Sequence, residues 1–554
     1  MNFGFIIDNR KCIGCHACTV ACKSEHDVPI GVNRTWVKYI EKGQFPNSRR
    51  IFSVMRCNHC DDAPCVDICP TRALYTRADG IVDFDNERCI GCKACTQACP
   101  YDAIYIDPNT QTAAKCNYCA HRVEKSLEPA CVNVCPTEAI ISGDMDNPLS
   151  KISQLLSREQ TTVRKPEKGT NPKLFYIEGD DISLTPLTTK QDEHYMWSDQ
   201  KRGVGHNVGK VPNKGFNLVV VPTQELPKSA EVDHDSTLSS NSPNPFQRLL
   251  GLKPSSSSDI KRVYDSPSKG VLWNWEVVGY IFTKALSTGI FVIPLLINHF
   301  IRLAPFQESF LLSNSMLITY SLISMFFLML TGVLLIKDLD QPTRFLYVLF
   351  RPQWNSWLVK GAYYIMGFGL ASTFWIAGTL MEWDWLVDLS VYLVIFFGFM
   401  TSIYTAFLFS QAKGRDLWQS PLTALHMLNH SIATGCAVLM VIMILGGADF
   451  DSDMQLLRIL LIIAVLINLF VIMAEQITPH MTQDSTRAMK IITKGHYKTM
   501  FRYGVLIFGN LIPLLICLFF SANALLLVAS LLIIVGVFFS IRVWVVAPQM
   551  IPLS

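Results

Sequence analysis

Cys12-Ile-Gly-Cys15-His-Ala-Cys18-Thr-Val-Ala-Cys22 opens a pattern that recurs as Cys57-x2-Cys60-x4-Cys65-x3-Cys69, Cys89-x2-Cys92-x2-Cys95-x3-Cys99 and Cys116-x2-Cys119-x11-Cys131-x3-Cys135. These four runs hold sixteen of the eighteen cysteines in the 554-residue chain, and three end in Cys-Pro, at Pro70, Pro100 and Pro136. Four thiols at such short spacing, four times over, point to metal–sulfur ligation. A lone Cys-x2-Cys pair is commonly structural zinc, but zinc ribbons rarely pack a third and fourth cysteine within the next eight residues of every run. A disulfide framework suits small secreted domains, whereas Met1-Asn2-Phe3-Gly4-Phe5 leads to Cys12 without the apolar stretch of an export signal.

The spacing Cys-x2-Cys-x2-Cys-x3-Cys-Pro is that of bacterial ferredoxins, where three thiolates hold one [4Fe–4S] cube and the fourth serves its neighbour. Sixteen thiolates at four per cube give four clusters, a line of single-electron carriers. The runs are also a duplication. Run one is nearly repeated by run three, Arg88-Cys-Ile-Gly-Cys-Lys-Ala-Cys-Thr-Gln-Ala-Cys99. Run two carries Cys57-Asn-His-Cys60 and Cys65-Val-Asp-Ile-Cys69-Pro-Thr; run four answers with Cys116-Asn-Tyr-Cys119 and Cys131-Val-Asn-Val-Cys135-Pro-Thr. Two ferredoxin-like modules are therefore expected in one α+β domain, with short strands at 81–84 and 103–106.

On these residues, positions 1–160 resemble the four-cluster electron-transfer subunits of the DMSO reductase, polysulfide reductase and respiratory formate dehydrogenase group. The resemblance implies Cys12, Cys15, Cys18 and Cys135 on one cube, and Cys22, Cys116, Cys119 and Cys131 on the next. It likewise implies Cys57, Cys60, Cys65 and Cys99 on a third, and Cys69, Cys89, Cys92 and Cys95 on the fourth. Run one has Lys23 where the others have proline, a difference expected to alter the local turn and not the ligation.

Half the residues are hydrophobic and only 17% are charged, but the two ends differ. Residues 161–223 read as an extension of the ferredoxin domain, with strands expected at Leu174-Phe-Tyr-Ile177 and Leu218-Val-Val-Val221. Residues 224–270, rich in Ser, Pro, Asn and Asp, read as a polar linker; Phe246-Gln-Arg-Leu-Leu-Gly-Leu252 is its one apolar patch. From 271 to 554 long apolar stretches take over, and Cys436 and Cys517 inside them have no ligand-like neighbours.

A spanning helix needs ~20 mostly apolar residues, which places spans near 276–301, 313–335, 358–380, 388–410, 423–445, 455–476, 502–520 and 523–546. The expected fold is thus a double ferredoxin-like domain followed by an all-α membrane domain of eight transmembrane helices. Loops on the ferredoxin side carry Lys337, Arg344, Arg351, Lys413, Arg415, Arg487, Lys490, Lys494 and Lys498. Opposite loops offer Arg302 and Arg458 against Glu382, Asp384, Asp388, Asp449, Asp451 and Asp453. Basic residues favour the inner face, so the iron–sulfur domain is expected on the cytoplasmic side of the inner membrane.

Trp273-Asn-Trp-Glu-Val-Val-Gly-Tyr-Ile-Phe282 and Thr331-Gly-Val-Leu-Leu-Ile-Lys-Asp-Leu-Asp-Gln-Pro-Thr-Arg-Phe345, followed by Arg351-Pro352, resemble the NrfD-type membrane subunit of polysulfide reductase. The resemblance implies two four-helix bundles that exchange electrons with menaquinone or ubiquinone, without haem. A quinone site needs hydrogen-bonding and titratable groups, and polar groups within spans are costly enough to default to paired or functional roles. Candidates are Asn274, Glu276, Tyr280, Lys284, Asp338, Arg344, His426, His430 and Glu475. His426 and His430 share a helix face. Lys284 lies ~12–17 Å deep by helical rise and is expected to have an acidic or polar partner. Blander readings stand beside these: a loop salt bridge for Asp338 and Arg344, a dipole-favoured first-turn carboxylate for Glu276, and interhelical hydrogen bonds for the histidines. A bis-histidine haem fails on placement, since His299 is at the far end of its span and His480 and His496 are in a loop.

The expected protein joins the membrane lipid and its quinone pool to a separate molybdenum or tungsten pterin catalytic subunit through four [4Fe–4S] clusters, with no nucleic-acid partner. No pterin or nucleotide fingerprint is legible in the chain itself. The alternative is the iron–sulfur and quinone module of an energy-converting, proton-translocating complex.

Overall fold

In the computed structural model, which describes residues 1–43, 46–185, 189, 260–266, 269–300, 311–446, 451–478 and 482–554, side-chain alternation along one strand organises the cysteine-rich half. Strand β1 (Phe3–Asp8) turns Phe5 and Ile7 toward Tyr118 and Tyr176, and Ile6 to the other face against Ile141, Ile152 and Ile177. Both faces are buried, as a period of two allows when each is covered. Further strands are β2 (Thr35–Lys42), β3 (Arg49–Arg56), β4 (Leu74–Thr76), β5 (Val82–Phe84), β6 (Tyr105–Ile106), β7 (Ala113–Ala114), β8 (Ile140–Asp144), β9 (Thr161–Thr162), β10 (Leu174–Ile177) and β11 (Ile260–Tyr264). β1 lies between antiparallel β8 and parallel β10, with β9 at the edge. The expected strand at 174–177 is therefore a sheet partner of the first residues of the chain.

β11 corrects part of the linker expectation. It lies within 224–270, yet pairs antiparallel with β2 in the sheet β11-β2-β3. Its Arg262 is buried because Nη1 meets Asp265 at 3.0 Å, while the same carboxylate accepts Trp36 Nε1 at 2.8 Å. Composition reads such residues as polar; pairing is what lets them be buried. The expected strand 218–221, the patch 246–252, most of the linker, Arg302, Asp449 and His480 lie outside the described residues.

The duplication is visible in the backbone. Gly14 and Gly91 have φ of 71° and 69°, and His16 and Lys93, the next left-handed pair, have 61° and 60°. The helix after His16 runs Ala17–Glu25, whereas that after Lys93 stops at Ala98, ahead of Pro100. Lys23 in place of proline lets the first helix continue, because proline disfavours a helical residue before it. The equivalent residues His59 and Tyr118 meet edge to face, centroids 5.4 Å apart.

The second half is built from long helices: α1 (Trp275–Phe300), α2 (Asn314–Lys337), α3 (Trp357–Leu380), α4 (Asp384–Gln411), α5 (Leu422–Leu445), α6 (Asp451–Ile477), α7 (a π-helix, Met500–Leu511, continued by α-helix Ile512–Phe519) and α8 (Asn523–Val546). Seven helical segments among the described residues are long and apolar enough to cross a membrane; α3 is not one of them. Its sequence carries Lys360 and four glycines, Gly361, Gly367, Gly369 and Gly378. α1 is central, packing on α2, α4, α5 and α8.

Where α1 crosses α5, Gly289 faces Gly435. A Cβ on Gly289 would overlap the Ser431 carbonyl oxygen and stand 2.8 Å from Gly435 Cα. Such crossings rely on small residues to bring backbones together. Gly435→Val is accordingly expected to destabilise the helical half by ~1–3 kcal/mol or more, read as a lower midpoint of thermal unfolding in detergent.

Candidate redox site

None of the eighteen cysteines is in a disulfide. Of the sixteen in the runs, Cys15 is exposed, Cys12, Cys92 and Cys135 are half-buried, and the other twelve are buried. The short helices and left-handed turns of each run direct these side chains inward, and they gather into four groups. Burial pushes the Cys22 thiol up and its neighbours Cys116, Cys131 and Cys119 add repulsion; Cys12 is raised in the same way with Cys135 and Cys15 close by. Burial raises Cys60 beside Cys57 and Cys99, and Cys92 beside Cys69 and Cys89. Successive groups also feel one another. Burial carries Cys18 up to about 12, with Cys131 contributing. Cys116 is raised by burial and by Cys57, and Cys95 by burial and by thiols that include Cys65. The order in space therefore runs from the group with exposed Cys15, through that of Cys131 and that of Cys57, to that of Cys92.

Do these groups fit iron–sulfur cubes? Among the described residues no three His, Cys, Asp or Glu side chains converge as they would on a single ion. A cube, in contrast, spreads its four ligands over its corners. The best witness is Arg56, fully buried, whose Nη1 lies 3.1 Å from Cys131 Sγ. Its Nε and Nη2 have no partner among the described residues. A buried guanidinium against protonated thiols would be strongly unfavourable; against anionic, metal-bound thiolates it is compensated. Backbone amides also face sulfur, from Ala113 to Cys89 at 3.3 Å and from Ala139 to Cys135 at 3.2 Å. His26 Nε2 stands 3.1 Å from Cys119 Sγ. The residues fit the group.

Cys69, Cys89, Cys92 and Cys95 line a small pocket that also contacts Lys93. This is where the halves join. Lys93 is buried, donates to the Asp338 carbonyl at 2.6 Å, and stands 3.6 Å from the Asp338 carboxylate and 3.3 Å from that of Asp340. Trp273 Nε1 donates to the Cys92 carbonyl at 3.1 Å, and Arg344 Nη1 to the carbonyls of Asn86 and Cys89 at 2.6 and 3.1 Å. Asp338 and Arg344 thus each reach across to the ferredoxin region, and the loop salt bridge between them does not form. Arg415 Nε donates to Gln97 Oε1 at 2.9 Å and its Nη1 to the carbonyls of Pro548 and Ile551. Burial lowers the pKa of Arg415 to about 10, with Asp102 and Asp484 opposing the shift. Sequence reading missed Lys93, Gln97, Trp273 and Gln549 as junction residues.

Of the expected membrane-side residues, one set lies under this junction. Asn274 is half-buried at the entry to α1, and Glu276 is buried at the start of that helix, close enough to raise the Asp338 carboxyl. Tyr280 is buried one helical turn further along α1. Lys284, 1% exposed, donates to Thr405 Oγ1 at 2.5 Å and the Ser402 carbonyl at 3.2 Å, with its ammonium 4.4 Å from the Tyr404 ring centroid. The expected partner of Lys284 is therefore polar and aromatic. Lys284 and Thr405 thus form a buried polar pair one helical turn beyond Tyr280.

His426, His430 and Glu475 form a second set. The two imidazole centroids are 4.2 Å apart. His426, Glu475, Phe501, Ser540 and Trp544 bound one small pocket, and His426, His430 and Trp544 line another. Both ring nitrogens of His430, Glu475 Oε1 and Trp544 Nε1 have no hydrogen-bond partner among the described residues. The sets are joined by hydroxyls: Ser402 Oγ lies 3.0 Å from Thr288 Oγ1, which lies 3.2 Å from Ser431 Oγ, one residue beyond His430. At the far end of α1, His299 Nε2 meets Tyr392 OH at 2.9 Å.

Comparison with known proteins agrees with this geometry. Models described as 4Fe-4S dicluster domain match residues 11–74 and 49–145. The B subunit of tetrathionate reductase from Salmonella typhimurium is 46% identical over 190 residues, covering 33% of this chain and 76% of that protein. The B component of polysulfide reductase from Wolinella succinogenes is 44% identical over 180 residues, 32% of this chain and 93% of the relative. The iron–sulfur subunit ArrB of arsenate respiratory reductase from a Shewanella species is 36% identical over 227 residues, 32% and 96% respectively. The protein is an iron–sulfur electron-transfer region joined to a multi-pass membrane domain. With the model described as polysulphide reductase, NrfD, matching residues 265–552, this chain therefore belongs to the NrfD family, fused here to 4Fe-4S dicluster domains.

Proposed function

We propose that this protein carries electrons between a separate molybdenum or tungsten pterin catalytic subunit and menaquinone or ubiquinone, through four [4Fe–4S] cubes. The observation that carries this reading is the series of four thiol groups, which begins at exposed Cys15 and ends against Lys93, Asp338 and Trp273 at the membrane half. The cubes would supply single-electron storage; the proposed ligand sets are Cys12/Cys15/Cys18/Cys135, Cys22/Cys116/Cys119/Cys131, Cys57/Cys60/Cys65/Cys99 and Cys69/Cys89/Cys92/Cys95, supported by the neighbouring thiols of Cys12, Cys22, Cys60 and Cys92. The relatives' names, all of reductase subunits, support a catalytic partner at the Cys15 end.

On this reading the membrane domain has eight spans in two bundles, α3 included, carries no haem, and begins near 271 after a ferredoxin segment at 1–160, an extension at 161–223 and a linker from 224 to β11. The iron–sulfur region lies on the cytoplasmic side of the inner membrane, supported by basic loop residues such as Arg351, Lys490, Lys494 and Lys498. Protease cleavage of that region in sealed right-side-out vesicles would contradict the placement, and a b-type α band in the reduced spectrum would contradict the absence of haem.

Asn274, Glu276, Tyr280, Lys284 and Asp338, with Arg344 at the junction, supply hydrogen bonds and proton exchange for the quinone headgroup. Lys284→Ala is expected to slow quinol-driven cluster reduction ~10²-fold, the usual range for losing a positioned proton-transfer group, while dithionite still reduces the clusters. An unchanged rate would remove Lys284 from the site. The hydroxyls from Ser402 through Thr288 to Ser431, the residue after His430, favour a second reading, in which His426, His430 and Glu475 continue a proton path. His426→Ala in proteoliposomes separates the two: a loss of vectorial protons at undiminished electron flow supports the path, and strictly scalar protons in the parent protein eliminate it.

A further inference from the structure

Two buried cations cross between the middle groups of thiols. Arg56 immediately precedes Cys57 in run two, and Lys115 immediately precedes Cys116 in run four, so the duplication makes them equivalent positions. Neither serves only the run it introduces. Arg56 reaches Cys131 Sγ at 3.1 Å, its guanidinium 4.5 Å from the Phe5 ring centroid. Lys115, equally buried, bonds to the carbonyls of Val82 and Cys116. By the same equivalence, its ammonium lies on the side of Cys57, as the Arg56 guanidinium lies on that of Cys131. The contact of His59 with Tyr118 marks the local axis about which the two positions exchange.

No carboxylate pairs with Arg56 or Lys115 among the described residues. Lys93 differs: it lies beside the fourth group but is matched by Asp338 and Asp340. Reduction adds one electron to a cluster and breaks no bond. An uncompensated positive charge in a dry interior, and an N–H aimed at a ligating sulfur, both favour the more negative state and raise the potential. Neutralised Lys93 gives far less of the first effect.

The geometry points to Arg56 and Lys115 as the residues that set the potentials of the two inner clusters, crosswise. Arg56 raises that of the cluster on Cys22, Cys116, Cys119 and Cys131, and Lys115 that of the cluster on Cys57, Cys60, Cys65 and Cys99. The inner pair then holds electrons more tightly than the clusters at either end. This inference rests on the ligand sets proposed above.

The test is a redox titration of the intact chain followed by electron paramagnetic resonance, with iron and sulfide measured on each sample. Arg56→Gln is expected to lower one midpoint so that its reduction constant falls at least tenfold, about 59 mV for one electron. Lys115→Met is expected to lower a different one, and Arg56→Lys, which keeps the charge, to shift its signal less than Arg56→Gln. Unshifted midpoints with full iron would overturn the inference, and so would both substitutions moving the same signal. If Arg56→Gln loses a cluster, Lys115→Met decides: a lowered midpoint with full iron supports the inference, and an unshifted one overturns it. Parent protein short of four clusters would instead overturn the ligand sets, a failure visible in the iron analysis alone.

Discussion

Removing iron from the intact protein with a chelator is expected to unfold the region before residue 185 while the long helices stay folded. The elements that carry the thiols are too short to stand alone: helices Pro64–Asp67, Ala120–Val123 and Ala130–Asn133 have four residues each, and β6, β7 and β9 two. Helices below ~12–15 residues are marginal in water, so bridging metal must supply the missing cohesion. Structural zinc gives ~10–16 kcal/mol in small domains, and four multi-ligand clusters are of at least that order. Arg56 adds to the instability, because its compensation disappears with the anionic thiolates. Limited proteolysis should degrade the first third of the iron-free chain, while circular dichroism keeps most of its helical signal. A protease-resistant, iron-free fragment from that region would contradict the expectation.

Lys93→Met is expected to uncouple the two halves. Its ammonium satisfies the Asp338 carbonyl and faces two carboxylates at the junction, so removing it takes away the buried positive charge opposite both. Breaking a buried ion pair from one side costs ~3–5 kcal/mol. That is enough to reduce quinol-driven reduction of the clusters more than ~100-fold while dithionite-driven reduction persists. The defect should deepen with rising pH. Burial, with Glu276 and Asp340 adding to it and Lys93 opposing, lifts the Asp338 carboxyl from its ordinary 3.8 to about 7. The docked state therefore binds that proton more tightly than the separated state. Its stability is full below pH 3.8 and falls as pH rises through about 7. Without the lysine the carboxyl moves higher still, and acid should partly restore coupling. A pH-independent rate in Lys93→Met would exclude Asp338 as the source.

What the sequence disclosed and what it hid divide by range. Ligand spacing within a run is local, and apolar helices announce themselves over about twenty residues. The junction is not local: Lys93 reaches Asp338 across 245 positions and Gln97 reaches Gln549 across 452. No pattern in one sequence links such residues. The Asp338–Arg344 salt bridge illustrates the error this invites, since two opposite charges six residues apart suggest a pair although each has a partner in the other half. The same applies to loop charge. Arg344 and Arg415 count toward the basic face, yet both are engaged with the ferredoxin region or the segment beneath it. Composition failed at β11 for a different reason, because a Ser- and Pro-rich neighbourhood concealed five residues with a strand's alternation.

The segment after α8 has an implication for biogenesis. Pro548, Ile551, Leu553 and Ser554 offer their carbonyls to Arg415, Arg164 and Arg262, and Gln549 grips Gln97 and the Trp273 backbone. A ribosome must have passed these codons before the amino-terminal region can gain the last of its docking contacts, although Asp338 and Arg344 offer earlier ones. The junction therefore closes in stages, and iron can be installed while the later helices are still entering the bilayer.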